Sequence, residues 1–183
     1  MFQLKKNLME NITLTYLNED DKAYGLAGMA ISLAALDAID FVADISLDNE
    51  GPMVNFSHQY YFPASPAVSV KTNWNNLLHN FYITSAMVLS NVMARSLVRL
   101  HTPVPQDILD EIYAEIAEEG RETCSLEDDE IKSIYNRTNT YMKRIFNNPR
   151  VIPAIDEFAH TISRRRTLSG NEILDELRLL QIV

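Results

Sequence analysis

A chain of 183 residues, 46% apolar and 22% charged, has the length and composition of one folded domain that needs neither disulfides nor metal. Its 25 acidic residues against 16 basic ones, net −9, disfavour nucleic acid as a partner, because that binding rests on phosphate neutralisation. Five scattered glycines and one cysteine exclude a glycine-rich phosphate loop, a disulfide framework and a CxxC metal site.

Residues 1–18 carry competing periods. Leu4, Leu8 and Ile12 recur at helical spacing, whereas Ile12, Leu14 and Tyr16 alternate as a strand would. A short helix to about Asn11 is expected. The first residues lack the apolar run that a secretory signal needs, which makes the reducing cytoplasm the expected compartment.

Asn18-Glu19-Asp20-Asp21 reads as a helix start, with a polar cap and acidic residues at the positive end of the dipole. The spacing predicts a helix over about 20–47, with Ala27, Ile31, Ala34, Ala38, Phe41, Val42 and Ile45 on its buried face. Gly25, Ala27, Gly28 and Ala30 should let a second helix approach closely. Asp37, Asp40 and Asp44 then form a row on the opposite face. They also interrupt the apolar run, so no membrane span is expected there.

Residues 49–71 differ in kind. Asn49-Glu50-Gly51-Pro52 is a turn signal, Pro63 and Pro66 break helices, and Ala67-Val68-Ser69-Val70 favours strand, so a short β-like or irregular excursion is expected. It holds Phe56, Tyr60, Tyr61 and Phe62. Aromatics are enriched at interface hot spots, which makes these four candidate partner contacts; packing on the chain's own core is the alternative.

A second long helix is predicted over about 72–101, with Trp74, Leu78, Phe81, Val88, Leu89 and Val92 as its core stripe and His79 off it. After Thr102-Pro103-Val104-Pro105, a helix carrying Ile108, Leu109, Ile112 and Ile116 runs to about Glu119. Ser125-Leu126-Glu127-Asp128 resembles a capping box for the next helix, whose stripe is Ile131, Ile134, Thr138, Tyr141 and Ile145. Ile152, Ile155, Phe158, Ala159 and Ile162 mark another. Ser169-Gly170-Asn171-Glu172 caps a last helix to about Gln181. Leu177 and Leu180 share one face with Ile173 and Leu174, but Leu179 and Ile182 lie outside it, so this helix is expected to be covered either by its own chain or by a neighbour.

The expected architecture is all-α: residues 1–183 as one domain of about six helices, built round the two long ones. Chemistry is harder to place. Glu157-x-x-His160 has the spacing of a metal-binding helix, but only one copy exists and it faces away from the apolar stripe. The four histidines lie in separate segments without ligand spacing. Cys124 sits among carboxylates that discourage a thiolate. Arg164, Arg165 and Arg166, with Lys143, Arg144 and Arg150, could engage phosphates only if the fold gathered them.

The expected function is therefore a non-enzymatic protein-interaction or scaffold module, a homodimer without cofactor, metal or membrane contact. Two-fold homo-oligomers are the commonest assembly. Its rival is a helical-bundle enzyme or ligand-binding protein whose site joins His58, His79, Asp37 and Asp40, with Tyr60 or Tyr61 as a lid.

Overall fold

Asn18 opens the first helix as read from the sequence: its side chain accepts from the Asp21 N–H, and α1 runs Glu19–Ala35. The computed structural model describes residues 12–61 and 69–182. The expected helix up to Asn11, together with Phe62 and the Ala67-Val68 pair, lies outside them.

The expectation of one helix over 20–47 is corrected at Leu36. The Ala38 N–H donates to Leu33 O at 2.8 Å and the Asp37 N–H to Ala34 O at 3.1 Å, the paired bonds of a Schellman cap. Asp37 holds φ 53°, the left-handed conformation that glycine usually supplies at this position. A 3-10 turn, Ile39–Phe41, follows. The chain then enters β1 (Val42–Ser46), the central strand of a sheet ordered β2-β1-β3. Its neighbours are β2 (Val54–Phe56) and β3 (Thr167–Ser169), both antiparallel to it. Val42 pairs with Phe56 and Asp44 with Asn55, so Ala43 is the extra residue of a β-bulge. The bulge places Val42 and Ile45 both inward, at a spacing that imitates a helix.

A single turn, α2 (His58–Tyr61), precedes α3 (Val70–Met93). Ser69 caps α3, accepting from the Thr72 N–H, so the expected β-like run ends as a helix start. The long helix ends in a π-helical turn, Ala94–Arg99. By length and composition Val70–Arg99 could cross a membrane, but 78% of its most apolar window is buried inside the fold. The remaining helices are α4 (Gln106–Cys124), α5 (Asp128–Phe146), α6 (Val151–Arg165) and α7 (Gly170–Leu179). The fold is mostly helical, with a small sheet beside it.

Packing between α1 and α3 is close because of small residues, as the sequence implies. A β-carbon on Gly28 would stand 2.2 Å from the Ser90 carbonyl oxygen and 2.7 Å from Ala94 Cβ. α6 packs on the other side of α1, and α4 and α5 lie against α3. Leu26, Ile31, Ile83, Leu89, Ile112, Ile131, Phe146 and Phe158 belong to one continuous core. At roughly 1.5–3 kcal/mol for each large apolar side chain buried, that core is the main stabilising contribution.

Two expected stripes are rotated. On α5 the buried line is Ile131, Tyr135, Thr138, Met142 and Phe146, which leaves Ile134, Tyr141 and Ile145 on its shoulder. The cap of α5 is Glu127 with Glu130, not Ser125, which ends α4 in a left-handed conformation. On α3, Trp74 is 39% exposed and every residue from Ser69 to Asn75 faces solvent; the helix enters the core only further along.

Candidate functional site

The aromatic segment folds largely onto itself. Phe56 stacks on Tyr60 with ring centroids 3.9 Å apart, and Phe41 and Tyr61 meet Tyr60 edge-on at 6.1 and 5.2 Å. Tyr60 is buried, and its carbonyl accepts from Asn80 Nδ2 at 3.1 Å, tying α2 to α3. Tyr61 is 59% exposed. Of the four aromatics singled out in the sequence, Tyr60 therefore belongs to the core, Phe56 is half-buried and Tyr61 faces outward, while Phe62 is outside the described residues.

The C-terminal helix divides in the same way. Leu177 is fully buried, Leu180 and Ile182 are half-buried, and Leu179 is 76% exposed. α7 docks on the 3-10 turn and the sheet, and its capping box is the expected one: Ser169 accepts from the Glu172 N–H while Glu172 accepts from the Ser169 N–H.

The histidine–aspartate constellation is not gathered. Asp37 and Asp40 share a cavity of about 210 Å³ with Leu174 and Arg178, and neither His58 nor His79 lines it. Both histidines are exposed. Asp44 instead accepts from Asn55 Nδ2 at 2.9 Å within the sheet. His160 does meet a carboxylate: its Nδ1 lies 4.0 Å from Asp156 Oδ2, and its ring packs edge-on to Tyr24. Asp156 also accepts a hydrogen bond from the Tyr24 hydroxyl. Burial, reinforced by that hydrogen bond and the Asp156 charge, pushes the Tyr24 phenol well up, so it stays protonated at neutral pH. Tyr24 is buried and Asp156 half-buried, whereas His160 and Glu157 face water. Among the described residues, no three His, Cys, Asp or Glu side chains come together as a cation site.

Cys124 is buried, and that burial, with a smaller contribution from Glu119, raises its thiol pKa. It is suited to packing rather than attack. The arginine run is also occupied. Arg165 pairs with Glu172 and Glu176, and Arg166 bridges Asp48 and Glu19.

Two features escaped sequence reasoning. One is an ion pair between Asp21 and Arg95, with 1% and 0% of the side chains exposed. The other is the outward projection of Val70, 87% exposed, one helical turn before Trp74. The first carried a signal: Arg95 ends a long run without acid or base on an apolar helix. Compared with known proteins, the chain matches no family model, no curated protein and no solved structure.

Proposed function

We propose that the chain is a non-enzymatic protein-interaction module that acts as a homodimer through the solvent-facing start of α3. The observation that supports this reading is the pair Val70 and Trp74, an apolar i,i+4 couple on a helix end that faces solvent among the described residues. Tyr61, also exposed, belongs to α2, which is fastened to α3 at Asn80, about two turns beyond Trp74.

A second copy is the fitting partner on electrostatic grounds. A two-fold contact sets each patch against itself, so like charges would face each other. The chain carries −9 overall, yet between Val70 and Asn91 it holds only Lys71, His79 and Tyr82 as ionisable groups. Approach is therefore least opposed here. A single buried cysteine, with no disulfide to maintain, supports the cytoplasm as the setting.

Val70→Asp and Trp74→Glu test the proposal by light scattering. Neither position is buried, so helix content should be unchanged by circular dichroism. The proposal expects twice the 20.9 kDa chain mass at micromolar concentration, falling to the single mass in both variants. A parent chain that is already monomeric, or variants that keep the doubled mass, would overturn it.

A further inference from the structure

Among the described residues, two arginines on one face of α5 make no ion pair, in a chain with a large acidic excess. Arg137, Thr140, Tyr141 and Arg144 follow each other at i, i+3, i+4 and i+7, so they share one side of the helix. With Leu36 at the end of α1 and Tyr82 on α3, they line a cavity of about 670 Å³. That falls within the roughly 300–1,000 Å³ of small-molecule sites. The lining contains no acid, and neither arginine makes an ion pair among the described residues.

The walls are held in place. The Tyr141 hydroxyl donates to Ala35 O at 3.1 Å, which fixes its ring against the end of α1. The Arg137 guanidinium lies 5.4 Å from the centroid of the Tyr82 ring. Such a cation–π contact orients the guanidinium while its N–H edges stay available. A simpler role for the arginines would be to complement the negative end of α1, worth about 0.3–1 kcal/mol. The last carbonyls of α1 already accept from Leu36, Asp37, Ala38 and the Tyr141 hydroxyl, however, and that role needs no cavity.

We propose that this cleft binds a small anion with a flat, unsaturated body. Its charged group meets Arg137 and Arg144, and its body lies against Tyr82 and Leu36. Paired guanidiniums suit phosphate and carboxylate alike, since both accept two parallel N–H bonds. The ring and the leucine favour a planar apolar scaffold over a bare inorganic ion.

Calorimetry with adenosine 5′-monophosphate and 2-naphthoate tests this, with adenosine and 2-naphthalenemethanol as uncharged counterparts. Binding of either anion, with its counterpart weaker by about tenfold or more, is expected. Which anion binds distinguishes a phosphate ligand from a carboxylate one. Arg137→Gln and Arg144→Gln should each weaken that binding about tenfold. Lys143→Gln removes the same charge from α5 outside this cleft and should leave binding unchanged. Absence of binding by both anions, equal binding of charged and uncharged probes, or equal losses in the Lys143 and Arg144 variants would each overturn the assignment.

Discussion

Arg95 grips Asp21 across the contact between the two longest apolar segments, 74 residues apart in sequence, through Nε–Oδ1 and Nη2–Oδ2 bonds of 2.9 and 2.6 Å. The same guanidinium donates to Thr15 O at 2.9 Å and lies 4.8 Å from the centroid of the Tyr16 ring. Asp21 in turn accepts the Leu17 N–H at 3.0 Å. One buried charge pair thus holds the segment before α1 against the π turn that ends α3. Replacing Arg95 with Met strands a buried carboxylate and should cost about 3–5 kcal/mol in urea unfolding. Asp21→Leu combined with Arg95→Met removes both charges and should be the more stable of the two variants. A double variant less stable than Arg95→Met alone would show that the pair stabilises by more than mutual neutralisation.

The same pair sets an acid limb. Burial alone would raise the Asp21 carboxyl, but hydrogen bonds from Arg95 and the Leu17 N–H, with the charges of Arg95 and Arg99, hold it below its ordinary value. A carboxyl lowered by folding stabilises above its unfolded pKa, about 3.9, and loses that contribution as pH falls through the folded value. Asp48, lowered by Arg166 at an exposed position, adds to this limb a part that salt screens, and half-buried Glu172, lowered by hydrogen bonds from Ser169, adds a part that salt largely leaves in place. In high salt, stability should still fall with pH below about 4 in the parent chain, and less steeply in Asp21→Asn. Parallel slopes would remove Asp21 from the account.

Asp37→Gly separates the observed break from an uninterrupted helix by sign. At a left-handed C-terminal position, glycine relieves the strain of a β-carbon, so a gain of up to about 1 kcal/mol is expected. Inside a continuous helix the same change would cost about 1 kcal/mol. Thermal unfolding reads the difference directly.

That break also marks the limit of what was legible. Its cap uses an aspartate where glycine is the usual punctuation, and the bulge at Ala43 then brings Val42 and Ile45 to one side, so strand residues kept a helical rhythm. The close α1–α3 approach was readable from Gly25 and Gly28, and the last capping box from Ser169 and Glu172, because those signals are local. Trp74 was misplaced for the opposite reason. Helical spacing gives the face a residue occupies, but not whether the rest of the chain reaches that far along the helix. The cleft of Leu36, Tyr82, Arg137 and Arg144 joins side chains from the end of α1, from α3 and from α5, and nothing within any one of them announces it.

Gly28→Ala tests the packing at the centre. Alanine adds about 1 kcal/mol of helix propensity, but its β-carbon would meet the Ser90 carbonyl at 2.2 Å, and that oxygen belongs to backbone that cannot step aside. Overpacking of this kind costs about 1–3 kcal/mol, so a net loss in the urea midpoint is expected. A gain in stability would mean that the helices lie further apart than described.

The proposed dimer places the chain's single tryptophan at the point of contact. Emission from Trp74 should shift to shorter wavelength as concentration rises, in step with a doubling of mass by light scattering, and should stay red-shifted in Val70→Asp. Emission from the parent chain that keeps one wavelength from nanomolar to high micromolar concentration, with the mass of one chain throughout, would contradict the account.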